Sequence, residues 1–86
     1  MSDDPDTSQI QVVKEKYEQM LMQKKNVVGV GIGFRERDGQ LTDEMVLTVM
    51  VSQKQPRLTL RRRDRIPEEL DGVLVDVKQV GRLQAL

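Results

Sequence analysis

Val27-Val28-Gly29-Val30-Gly31-Ile32-Gly33-Phe34 decides how this chain is read. Its β-branched residues favour extended backbone, and a glycine at every second position is a poor fit to a helix. In a strand, Gly29, Gly31 and Gly33 share one face. Val28, Val30, Ile32 and Phe34 share the other, and this face is expected to anchor the strand in the core. The glycine face has no side-chain volume, so a helix, another strand or a ligand backbone can approach closely. Three aligned glycines carry an entropic cost, which asks for a packing explanation. The expected close-packing face is therefore Gly29, Gly31 and Gly33.

The Gly-x-Gly-x-Gly spacing invites a second reading, as a dinucleotide-binding loop. Such a loop follows its strand and opens directly into a helix. Here Phe34-Arg35-Glu36-Arg37-Asp38-Gly39 leads instead toward a hairpin, with Asp38-Gly39 as the tight reversal. No Gly-Lys-Ser or Gly-Lys-Thr follows the glycines, so a Walker loop is missing as well. Packing is the preferred reading.

Beyond the reversal, a second strand begins around Leu41 or Glu44 and runs through Val51. Met45, Leu47, Val49 and Val51 point to one face, and Val46, Thr48 and Met50 to the other. Neither face is clearly polar, which predicts a central strand covered on both sides, by a helix and by another subunit. Val46, Thr48 and Met50 are accordingly the expected interface. Pro56 removes a ladder donor and marks the strand's exit. Residues 58–65 read as a short helix or an ordered loop, and residues 66–70 as a connector with a helical turn opened by Pro67. Asp71-Gly72 makes another turn. In the following strand Val73, Val75 and Val77 share one face, and Asp76 and Lys78 share the other.

On the amino-terminal side of the glycines, Thr7 or Ser8 is a helix cap, and Ser8 has Gln11 at capping-box spacing. Over residues 9–24, Ile10, Val13, Tyr17, Met20, Leu21 and Lys24 recur near one helical face. Tyr17 and Phe34 are expected as core anchors. The fold predicted is a small single α+β domain, with an amino-terminal amphipathic helix packed on a mainly antiparallel three-stranded sheet. Its element order is α-β-β-(short α or loop)-β. The expected organisation is a flexible acidic lead at 1–7, the domain at 8–82 and a tail at 83–86.

Composition narrows the chemistry. An 86-residue chain has room for one core, and with 2% aromatic residues that core is built from Val, Leu, Ile and Met. Self-association would add apolar burial that so short a chain lacks. Fourteen basic and fourteen acidic residues give no net field for nucleic acid or a membrane. Cysteine and histidine are both absent, which removes disulfides, thiolate nucleophiles, imidazole bases and the commonest zinc ligands. Asp71 with Asp76, or Glu68 with Glu69, supplies carboxylates, but adjacent acids alone make no acid/base pair. The expectation is no enzyme, no cofactor and no metal. Arg61, Arg62, Arg63 and Arg65 read as a solvated charged rim, with Asp64, Glu68 and Glu69 as nearby partners. Nucleic-acid binding through them is disfavoured. The acidic first residues do not make a secretory signal, and no apolar run is long enough to span a bilayer, so cytoplasmic residence is the expectation.

The order of three segments resembles the amino-terminal region that precedes the protease domain in some bacterial trypsin-like serine proteases and related proteins. The segments are residues 26–34, residues 45–51, and Ile66-Pro67-Glu68-Glu69-Leu70-Asp71-Gly72-Val73-Leu74-Val75-Asp76-Val77, with Val80-Gly81 after them. The resemblance implies an accessory role for Gly29, Gly31, Gly33, Pro67, Asp71, Gly72 and Asp76, and no catalytic role, because the region does not hold the triad. The function expected is a self-associating protein-interaction or assembly module. The alternatives are an accessory domain acting on a separate protease or other protein, and weak nucleic-acid binding through Arg61 to Arg65.

Overall fold

The computed structural model describes residues 7–81. Helix α1 (Thr7–Met22) leads into strands β1 (Val27–Arg37), β2 (Gln40–Val51), β3 (Glu69–Leu70) and β4 (Val73–Gln79). Two 3-10 turns, Arg57–Thr59 and Arg62–Asp64, occupy the connection between β2 and β3. The strands form one sheet in the order β1-β2-β4-β3. The chain is thus a small α+β domain with one amino-terminal helix. The lead at 1–6 and the tail at 83–86 lie outside the described residues, and Thr7 is already helical.

The sheet differs from the three antiparallel strands expected. It is four-stranded and mixed, since β1/β2 and β3/β4 are antiparallel hairpins whereas β2 and β4 run parallel. A parallel pair needs a long crossover, and residues 52–72 supply it. They combine two 3-10 turns with the short strand β3 in place of the usual helix. In the connector, Glu69 and Leu70 pair with Leu74 and Val73, and the Val75 N–H donates to Glu68 O (2.9 Å).

Both Asp-Gly pairs close two-residue hairpin loops. Asp38 and Gly39 have φ of 53° and 80°, and Asp71 and Gly72 have 49° and 81°. Positive φ at both central positions matches the right-handed strand twist and suits Asp-Gly.

One face of the sheet takes the helix. Two cross-strand rows, Ile32–Leu47–Val75 and Val30–Val49–Val77, run from β1 through β2 to β4. Ile10, Val13 and Leu21 of α1 are buried in a cluster with Leu47, Val49, Val51 and Val73, and Tyr17 packs at its margin. Burying a side chain such as Leu47 completely is worth roughly 1.5–3 kcal/mol. Met20, expected on the packed helix face, is exposed. After Met22 the N–H groups of Gln23 and Lys24 bond three residues back, and Asn26 turns through φ 70° into β1.

Phe34 and Val28 do not anchor the core. Val28 is 52% and Phe34 46% exposed, whereas Val27, Val30 and Ile32 pack on the core cluster. The cause at Val28 is a bulge. Val27 pairs with Val51 and Gly29 with Met50, so Val28 has no opposite residue and the inward alternation is reset.

Candidate functional site

The second face of the sheet carries rows of a different kind, Gly31–Thr48–Asp76 and Gly29–Met50–Lys78. β1 contributes no side chain to them, β2 contributes Thr48 and Met50, and β4 contributes charge. Met50 fills much of the glycine face, because a Cβ placed on Gly29 would lie 3.0 Å from its Cε and one on Gly31 would lie 3.7 Å away. A Cβ on Gly33 would meet Thr48 Oγ1 at 2.9 Å. The object packed on the glycines is thus the neighbouring strand's own side chains. Of the expected interface, Val46 and Thr48 are buried within the single chain and Met50 is half-buried.

A second irregularity bends the far end of the hairpin across this face. Phe34 pairs with Met45 and Glu36 with Leu41, leaving Arg35 opposite Thr42, Asp43 and Glu44. The Thr42 hydroxyl holds the bend by donating to Arg35 O (2.8 Å) and accepting from the Glu44 N–H (3.2 Å). Arg35 Nη1 also lies 3.4 Å from Glu44 Oε2. The Glu36 N–H then reaches Asp76 Oδ2, 3.0 Å away on a strand that is not its neighbour.

Asp71 and Asp76 are not brought together. Asp71, in the β3–β4 turn, accepts hydrogen bonds from Lys16 Nζ and Tyr17 OH, both at 2.9 Å. Those bonds, that from Lys16 foremost, hold its carboxyl below the ordinary carboxylate value. Lys16 is raised in turn by its bond to Asp71 and by the nearby negative charge. Its ammonium also stands 5.2 Å from the Tyr17 ring centre. Among the described residues, no three acidic side chains gather closely enough to hold a metal ion.

The arginines split into two groups. Arg57 Nη1 donates to Ile66 O (2.9 Å), and Arg65 Nε donates to Arg57 O (3.0 Å) and Leu60 O (3.2 Å). These two side chains order the crossover by satisfying its carbonyls. Arg61, Arg62 and Arg63 are exposed, and none has an ion-pair partner among the described residues. Asp64, expected as such a partner, accepts the Lys25 N–H instead (3.0 Å), and Lys24 Nζ donates to Arg63 O (2.6 Å). The arginine loop is thereby tied to the carboxyl end of α1.

The feature that sequence reasoning passed over is the outer edge of β1. Among the described residues β1 ends the sheet, with β2 as its single neighbour. From Val27 to Phe34 it has no charge and no proline, and exposed Val28 and Phe34 stand near the two ends of that stretch. The consecutive pair Val27-Val28 was the available signal, since adjacent residues of a regular strand point to opposite faces and only one of the two can join the core on the helix side.

No protein-family model matches the chain, and no curated protein matches it. No helix among the described residues is long and apolar enough to cross a membrane.

Proposed function

We propose that this chain is a non-catalytic interaction module that self-associates by adding a second copy to the free edge of β1. The observation that carries this reading is the uncharged, proline-free stretch from Val27 to Phe34 on a terminal strand. Such an edge offers a row of backbone donors and acceptors, and strand addition satisfies them while covering the apolar side chains beside them. The small core, with few fully buried side chains, supports the same reading, because association buries further apolar surface.

The test is sedimentation or light scattering over a wide concentration range. A concentration-dependent dimer is expected, and Phe34→Lys weakens it by at least about tenfold, as expected for charge placed on an edge. Leu58→Lys, at an 88% exposed position off the edge, leaves it unchanged. A chain that stays monomeric throughout sinks the proposal. Cytoplasmic residence belongs to the same proposal.

A second reading is favoured by the exposed guanidinium groups of Arg61, Arg62 and Arg63, which have no ion-pair partner among the described residues and make a charged rim suited to an acidic protein partner. The sequence resemblance supports an accessory domain of this kind, acting on a separate protease-like protein. Repeated pull-downs from native extract with no reproducible partner would count against it. Nucleic acid on the same arginines is the weaker version, and absence of a mobility shift at low salt removes it.

A further inference from the structure

We infer that the second copy docks antiparallel on β1 with the two-fold axis through Gly31, so that Val28 of each chain lies against Phe34 of the other. The inference rests on the self-association proposed above and fixes its register.

The two exposed apolar side chains of the uncharged stretch, Val28 and Phe34, are equidistant from Gly31. With the axis there, residues 28 and 34, 29 and 33, and 30 and 32 become cross-strand partners, and Gly31 meets its own copy. Val28 and Phe34 then cover each other twice, once on each side of the axis, as a closed isologous interface requires. Val30 faces Ile32 on the side that carries α1. On the other side glycine faces glycine, so no side chain of the second copy's β1 competes with Met50 for the space over Gly29 and Gly31.

Neighbouring registers fail for identifiable reasons. An axis at Val30 sets Phe34 against Asn26, where the backbone turns at φ 70° before the strand begins. An axis at Ile32 sets Val28 against Glu36, a charged residue whose N–H is already bonded to Asp76. Shifting by a single residue places the glycine face of one strand beside the apolar face of the other and sends the two helices to opposite sides. With the axis at Gly31, two four-stranded sheets become one continuous sheet, and both helices lie on the same face.

The chain has no cysteine, so introduced thiols report the register alone. Directly opposed residues in an antiparallel pair have Cα atoms about 4.5–5.5 Å apart, within disulfide range. Under mild oxidation, Gly31→Cys is expected to give a covalent dimer at least tenfold in excess of Val30→Cys or Ile32→Cys. An equimolar mixture of Val28→Cys and Phe34→Cys chains is expected to join as the mixed 28–34 dimer, identified by peptide mapping, with neither single variant dimerising alone. Both of those positions are exposed, so this mixture keeps the test intact if a cysteine at Gly31 disturbs folding. Crosslinking that favours 30–30 or 32–32, or no crosslink from a chain that sediments as a dimer, overturns the register while leaving self-association standing. A chain that sediments as a monomer and forms no crosslink overturns both.

Discussion

At one edge of the sheet β1 runs for 11 residues, and its first eight carry neither charge nor proline. At the other edge β3 is two residues long, preceded by Pro67 and Glu68 and opened by Glu69. Short length, proline and charge are the devices by which a sheet edge is kept from pairing with another chain. The β3 edge has all three. β1 has charge only at its far end, where Arg35, Glu36 and Arg37 follow Phe34. The hairpin is bent there, and the Glu36 N–H is already used by Asp76. Among the described residues one edge is therefore closed and the other open, so the open edge is not a property of the sheet as such. The difference is the reason the proposed association is placed on β1 and not on β3.

The largest effect expected tests why the open edge is bare. Gly33→Ala puts a methyl 2.9 Å from Thr48 Oγ1, and Thr48 is a β-branched residue, stiff at χ1, and 6% exposed. Overpacking of this kind costs about 1–3 kcal/mol, read as a lowered denaturant midpoint. Among the described residues Gly31→Ala meets nothing nearer than Met50 Cε at 3.7 Å. It is expected to be neutral or to stabilise by about 0.5–1 kcal/mol, because alanine restricts the unfolded chain more than glycine does. If the two substitutions cost the same, Thr48 does not explain the glycine at 33, and the edge is bare for another reason. The next effect is smaller and opposite in sign. Thr48 Oγ1 is buried with no hydrogen-bond partner among the described residues. Thr48→Val should therefore raise the unfolding free energy by about 1 kcal/mol, the order of the cost of an unmade bond. A loss of stability would show that the hydroxyl is satisfied.

How far the two edges were legible in the sequence follows from the range of the forces that set them. Asp38-Gly39 and Asp71-Gly72 announce their loops because positive φ is a local demand. The spacing of Ile10, Val13, Tyr17 and Leu21 gives the packed helix face, and the alternation of Leu47, Val49 and Val51 gives the face that receives it. Alternation in Val73, Val75 and Val77 reveals a strand but not its direction. Direction is set by the crossover, whose 3-10 turns have no sequence period to read. Two residues, Glu69 and Leu70, are too few to show alternation, so the closed edge passed as a connector. The exposure of Val28 depends on a register shift against Val51 and Met50, a long-range fact. For the candidate surface, the glycine stripe points to a face without side-chain volume, which is as far as spacing alone reaches. That Met50 and Thr48 fill the space, and that Arg57 and Arg65 spend donors on carbonyls, needed the fold.

The smallest effect expected concerns the closed edge and how it is held to the helix. Asp71 joins the β3–β4 turn to α1 through Lys16 and Tyr17. Its carboxyl is depressed from the ordinary 3.8 by those hydrogen bonds, so its contribution is full above that value and is lost as pH falls through the lower folded value. Lys16 is raised from the ordinary 10.5, so its contribution is full below that value and is lost as pH rises through the higher folded one. Across neutral pH neither changes. Asp71→Asn keeps a residue that tolerates the left-handed backbone at φ 49° and removes the charge. Wild type should therefore melt slightly higher than the variant by an amount that is constant through neutral pH, shrinks in strong acid and is reduced by salt. Because both partners are solvent-exposed, the difference is expected to be far below that of Gly33→Ala. A difference that persists undiminished into strong acid would mean that Asp71 acts through its turn conformation and not through its charge. The closed edge would then owe its place on the helix to the packing of Leu70 and Val73 alone.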